Sequence, residues 1–119
     1  MKKILITGAS GFIGSFIVEE ALRRGLETWA AVRPTSSLRY LQDARVHLLT
    51  LDLQDPARLM EQLRPHRFDY IVHAAGATKC QDPADFFRVN RDGTRHLFQA
   101  VRALAMPVER IVFLSSLSV

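Results

Sequence analysis

This sequence predicts an α/β fold: an open parallel sheet of five strands with helices on both faces. Two observations predict it. Short, largely apolar runs recur along the chain (Ile4 to Ile6, TWAAV at 28–32, VHLLT at 46–50, YIVHA at 70–74 and RIVFL at 110–114), and stretches with helical periodicity separate them. The first run leads straight into three glycines spaced three apart, Gly8, Gly11 and Gly14. Strict alternation of strand and helix means that each strand is followed by a crossover to a parallel neighbour. Right-handed crossovers then give the strand order 3-2-1-4-5.

Each element has its own justification. The first strand covers 3–7 and ends at the glycines. The first helix runs from Phe12 to Arg24 with Ile13, Ile17 and Ala21 on one face, and Gly25 stops it as a C′ glycine behind two arginines. The second strand is apolar throughout, as a strand buried on both faces requires, and Arg33-Pro34 ends it. A loop turning into a short helix fills 33–41. After the third strand, Asp55-Pro56 supplies a helix N-cap and a proline at the first helical position, with Leu59, Met60 and Leu63 on the helix behind it. Asp82-Pro83 repeats that signal ahead of a long helix carrying Phe86, Val89, Leu97, Val101 and Leu104. Ser115-Ser116 lies at the carboxyl end of the fifth strand.

Composition narrows the function classes. The 119 residues suffice for one domain, and 48% of them are hydrophobic, enough for a packed core. The single cysteine, Cys80, cannot form an internal disulfide and fits a reducing cytoplasm. The apolar stretch of MKKILIT dies at Gly8, short of a signal-peptide core, and no run approaches a membrane span. The net charge of +4 comes from scattered arginines rather than a basic stripe. That pattern speaks for solvated helix faces and against nucleic acid, while favouring an anionic ligand.

The segment Thr7 to Gly14, TGASGFIG, is where an anion would sit. A first glycine permits a tight turn, a second lets backbone approach a pyrophosphate, and a third lets helix pack closely on strand. Free N–H groups and the positive end of the helix dipole add to the site. The plain alternative is a glycine-rich turn that only punctuates the chain.

Five segments at strand ends come in a fixed order: TGASGFIG at 7–14, Asp52-Leu53, His73-Ala74-Ala75-Gly76, Val89-Asn90 with Gly93-Thr94, and Phe113-Leu114-Ser115-Ser116. Together they resemble the extended short-chain dehydrogenase/reductase family, the NAD(P)-dependent epimerases, dehydratases and reductases, whose Rossmann-type domain carries G-x-x-G-x-x-G. The resemblance covers the whole chain. It implies that Gly8, Ser10, Gly11, Phe12, Ile13 and Gly14 form the phosphate turn, that Asp52 accepts from the adenine amino group and that Leu53 lines the adenine slot. Asp52 also reads as a strand-end cap of the next turn. The resemblance places Ala74, Ala75, Gly76 and Ser115 against the cofactor, and Asn90 near the active site in either a structural or a mechanistic role. His73 reads as a hydrogen-bonded structural histidine. Ser116 aligns with the catalytic serine or threonine whose hydroxyl binds the reacting substrate oxygen, with Ser115 or Ser118 as alternatives if the register slips.

The end of strand two bears on cofactor choice. An NAD site places a carboxylate there, which would repel a 2′-phosphate; here stand Val32 and Arg33, and no acid occurs from Trp29 to Gln42. The guanidinium of Arg33 is a planar fork suited to phosphate, and AVRPTSS resembles the family's NADPH-using reductases. NADP is therefore the expected cofactor and NAD the second choice, the alternative for Arg33 being a plain exposed arginine.

The family's general acid/base, the tyrosine of Y-x-x-x-K, has no counterpart: neither Tyr40 nor Tyr70 has a lysine four residues on. Residues 1–119 thus read as a single NAD(P)-binding domain, a fragment without the Y-x-x-x-K region and the substrate domain. It is expected to bind dinucleotide in the cytoplasm, to meet a nucleotide sugar or similar small-molecule substrate only with the missing part, and to be inactive alone. The open edge of strand five is expected to favour self-association. The competing function is a non-catalytic NADP(H)-sensing module of the same fold.

Overall fold

A computed structural model of the chain describes residues 1–9, 12–32, 43–74 and 83–113, and of residue 12 and residues 83–90 only the helical backbone. The described elements are β1 (Lys3–Thr7), α1 (Phe12–Arg23), β2 (Glu27–Val32), β3 (His47–Thr50), α2 (Pro56–Leu63), β4 (Tyr70–His73), α3 (Pro83–Ala103) and β5 (Arg110–Phe113), with a helix between successive strands everywhere except between β2 and β3. The strands form one sheet in the order β3-β2-β1-β4-β5, and every pairing is parallel. The chain winds outward from β1 in one direction through β2 and β3, then in the other through β4 and β5. The reversal falls between β1 and β4.

Each strand of the middle of the sheet feeds two cores, because successive side chains point to opposite faces. Ile4, Ile6 and Ala30 pack with Val18 and Ala21 of α1 on one face. Leu5, Ala31 and Ile71 pack with Leu59 and Leu63 of α2 and with Leu97, Ala100 and Val101 of α3 on the other. Phe68, almost fully buried just before β4, completes this second core. The outer strands are different. β3 is mostly exposed, with Leu48 at the surface, and β5 leaves Val112 and Phe113 uncovered among the described residues.

Helix ends follow local chemistry. Gly25, at φ +74, closes α1 with a paired return: its N–H donates to Leu22 C=O, and Leu26 N–H donates to Ala21 C=O. Asp55 caps α2 by accepting from Arg58 N–H, with Pro56 at the first helical position. α3 ends on the same paired return as α1, but the left-handed residue is Ala105 at φ +50. Leu104 therefore lies beyond the helix, although the apolar period includes it.

Four boundaries differ from the sequence reading by one residue. β2 starts at Glu27, which pairs with Lys3 across the ladder and whose carboxylate accepts from Trp29 Nε1 at 2.9 Å. β3 starts at His47 because Val46 N–H is spent on a turn to Asp43 C=O. α1 ends at Arg23 and β4 at His73. The expected short helix within 33–41, Cys80, the Asp82 cap and Leu114 lie outside the described residues.

Candidate functional site

In a parallel sheet all strands finish on the same side, so the ends of β1, β2, β3 and β4 define one rim. The crevice of an open wound sheet opens at that rim where the winding reverses, here between Thr7 of β1 and His73 of β4, paired in the ladder. Two histidine contacts tie this spot together. His73 Nδ1 lies 2.7 Å from Thr7 Oγ1 and its Nε2 lies 3.0 Å from Thr94 Oγ1 on α3. Its ring also meets Phe113 edge-on at 5.6 Å. A neutral imidazole donates from one nitrogen and accepts at the other, so one threonine hydroxyl accepts and the other donates. His73 is thus a structural link from the end of β1 to α3, as its sequence context suggested. Ala74 N–H adds a bond to Thr7 C=O at 3.2 Å.

Burial holds the His73 pKa below its ordinary 6.5. Above that value the ring is neutral in the folded and unfolded chain alike. As pH falls below it, the unfolded chain takes up a proton that the native site resists, so stability falls until the depressed native pKa is reached. His66 is shifted the same way, also by desolvation. The carboxylates of Glu27 and Glu109 are held below 4.5 by the Trp29 and Lys2 hydrogen bonds, respectively, so their losses come at lower pH. Denaturant melts between about pH 7.5 and about pH 5 should therefore show stability dropping with acid, and His73→Gln should flatten that slope.

The turn after β1 is built on close approach. Gly8 adopts φ +70, a conformation costly for residues with a Cβ. Gly14, on the first turn of α1, presses on that turn: a Cβ there would lie 2.1 Å from Gly8 O and 2.8 Å from Ala9 Cα. The first turn of α1 carries no acidic side chain. A glycine-enforced approach at an acid-free helix start fits the phosphates of a dinucleotide. Ile13 is exposed beside it.

At the far side of the rim, the chain leaves β3 through Leu51 and turns at Asp52. Asp52 N–H donates to Gln62 Oε1 of α2 at 2.8 Å, and Asp52 Oδ1 accepts from Gln54 N–H at 3.0 Å. The carboxylate does cap its own turn, and this leaves Asp52 and Leu53 at the rim, both half-buried. Leu53 C=O accepts from His96 Nδ1 of α3. Neither Gln62 nor His96 stood out in the sequence. Of the other candidates, Ser10, Gly11, Arg33, Ala75, Gly76, Ser115 and Ser116 lie outside the described residues, as do the side chains of Phe12 and Asn90. Among the described residues no cluster of His, Cys, Asp and Glu could hold a metal ion, and no helix is long and apolar enough to cross a membrane.

Sheet order, turn and rim define a Rossmann-type nucleotide-binding fold. The family model described as "NAD dependent epimerase/dehydratase family" matches residues 4–119, and the chain belongs to that family. It is similar to the UDP-glucose 4-epimerase of Mus musculus, 34% identical over all of this chain and 39% of that protein. It is similar also to the chloroplastic divinyl chlorophyllide a 8-vinyl-reductase of Zea mays, 32% identical over 98% of this chain and 30% of that one. The solved UDP-glucose 4-epimerase of Thermus thermophilus, in complex with NAD, superposes with a TM-score of 0.79 at 34% identity, covering 96% of this chain and 37% of that one. The chain thus spans well under half the length of these relatives.

Proposed function

We propose that this chain is the cofactor-binding part of an NAD(P)-dependent epimerase, dehydratase or reductase that works by hydride transfer on a nucleotide sugar or similar carbonyl or hydroxyl substrate. The observation that carries the reading is the Gly14–Gly8 approach at the point where the sheet reverses its winding. In this reading the turn from Gly8 to Gly14 binds the pyrophosphate. Asp52 and Leu53 hold the adenine, and Arg33 takes the 2′-phosphate of NADP. Ala74, Ala75, Gly76 and Ser115 lie along the ribose and nicotinamide, with Asn90 supporting the active site. The Ser116 hydroxyl orients the substrate oxygen, and the bound nicotinamide supplies or accepts the hydride. The general acid/base of the reaction would be a Y-x-x-x-K tyrosine, which these 119 residues do not contain. The chain alone is therefore proposed to bind and not to turn over.

Thermal shift with NADP+, NADPH, NAD+ and NADH tests the binding. Ligand at about 100 times its Kd adds about 2.7 kcal/mol, which for a domain of this size raises Tm by roughly 10 °C. The NADP pair should give the larger shift. Four flat curves at millimolar ligand would remove the reading.

A further inference from the structure

The Asp52 turn is held from two helices. On one side Gln62 of α2 accepts from Asp52 N–H. On the other, His96 of α3, 43 positions along the chain, lies with Nδ1 2.5 Å from Leu53 C=O. A carbonyl has no proton to give, so His96 carries hydrogen on Nδ1 and donates it. α3 also packs directly on this turn. A Cβ placed on Gly93, one turn earlier on the helix, would sit 3.5 Å from Leu53 Cβ and 3.5 Å from Gln54 Nε2. The third bond, from Gln54 N–H to Asp52 Oδ1, then fixes the carboxylate on a backbone that is already anchored.

We propose that His96 is a positioning residue for the adenine end of the site: by holding Leu53 C=O it sets where Asp52 and Leu53 meet the base. The inference rests on the dinucleotide reading above. Its physical ground is that a recognition turn binds well only when its backbone is held close to the bound geometry before the ligand arrives. A loop tied at one end only would have to be ordered on binding, at a cost in affinity. His96 does not touch the base. It acts through Leu53.

The test is calorimetry on the full 119-residue chain with NADP+ and with ADP, well below the melting temperature. Binding by the unaltered chain comes first, and its absence would sink the dinucleotide reading itself. Given binding, His96→Leu should weaken both probes about tenfold, the cost of ordering on binding a turn that the bond no longer holds in place. His96→Asn, whose amide nitrogen offers a donor near the place of Nδ1, should recover affinity to within about threefold of the original. A tie that is only structural would lower Tm in His96→Leu and leave the Kd of the folded chain unchanged, and that result would overturn the proposal. A second readout needs no variant. The ring nitrogens of His96 and the amides of Leu53 and Gln54 should shift in NMR on adding ADP and stay put with inorganic pyrophosphate. Signals unmoved by ADP would also overturn it.

Discussion

Gly14→Ala is expected to cost about 2 kcal/mol of stability, lowering Tm by roughly 8 °C, and to weaken NADP+ binding at least about tenfold. Two effects compete. Alanine inside a helix is favoured over glycine by about 1 kcal/mol. Against that, the added Cβ would stand 2.1 Å from Gly8 O and 2.8 Å from both Gly8 C and Ala9 Cα. All three are backbone atoms, so no side chain can swing away. Gly8 is already at φ +70 and Ala9 is fully buried, which leaves the turn little room to retreat. Overpacking of this kind costs about 1–3 kcal/mol and occasionally more, so the clash outweighs the propensity gain. Relief comes from α1 backing off the sheet or the turn opening, and either displaces the N–H groups proposed to bind phosphate. Gly25→Ala is the matched control. Its φ of +74 makes alanine strained there, yet nothing lies within 4 Å of the added Cβ. It should lose stability and keep its affinity. A Gly14→Ala chain that melts with the original and binds NADP+ equally would disprove the close-approach argument.

Most of the architecture is legible in the sequence because it rests on local signals repeated in order. The apolar runs mark every strand, Asp55-Pro56 and Gly25 mark helix ends, and alternation with right-handed crossovers settles the sheet order. What stays hidden depends on position in three dimensions. VHLLT and TWAAV read alike as strands, but β2 has neighbours on both sides, whereas β3 is an edge strand, mostly exposed with Leu48 at the surface. Glu27 is too charged to read as a strand residue until its partners Lys3 and Trp29 are in view. Ala105 gives no sign of ending a helix, since the left-handed residue there is usually glycine. In the candidate site, Gly8, Gly14, Asp52 and Leu53 belong to short contiguous motifs. Gln62 and His96 contribute one hydrogen bond each across 10 and 43 positions, and single long-range bonds leave no periodic trace.

Arg33→Asp is expected to reverse cofactor preference, changing the NADPH-to-NADH affinity ratio by about 100-fold or more. β2 ends at Val32, on the same rim as Gly8 and His73, and Arg33 is the next residue in the sequence. A dinucleotide lying across the reversal point places its adenosine ribose toward the second strand. A guanidinium there makes charge-assisted bonds to a 2′-phosphate, each worth about 1.5–3 kcal/mol, so its loss alone weakens NADPH by about 10- to 100-fold. Aspartate adds a second effect of opposite sign for the two ligands: it repels the 2′-phosphate and accepts from the free ribose hydroxyls of NADH. Arg33→Ala separates the two, losing NADPH affinity without gaining any for NADH. Calorimetric titration of both cofactors against all three chains reads the ratio directly. If the unaltered chain bound NADH at least tenfold more tightly than NADPH, or Arg33→Asp left the ratio where it was, the 2′-phosphate would have to be read by other residues, and the NADP assignment would fall while the phosphate turn at Gly8 and Gly14 stood.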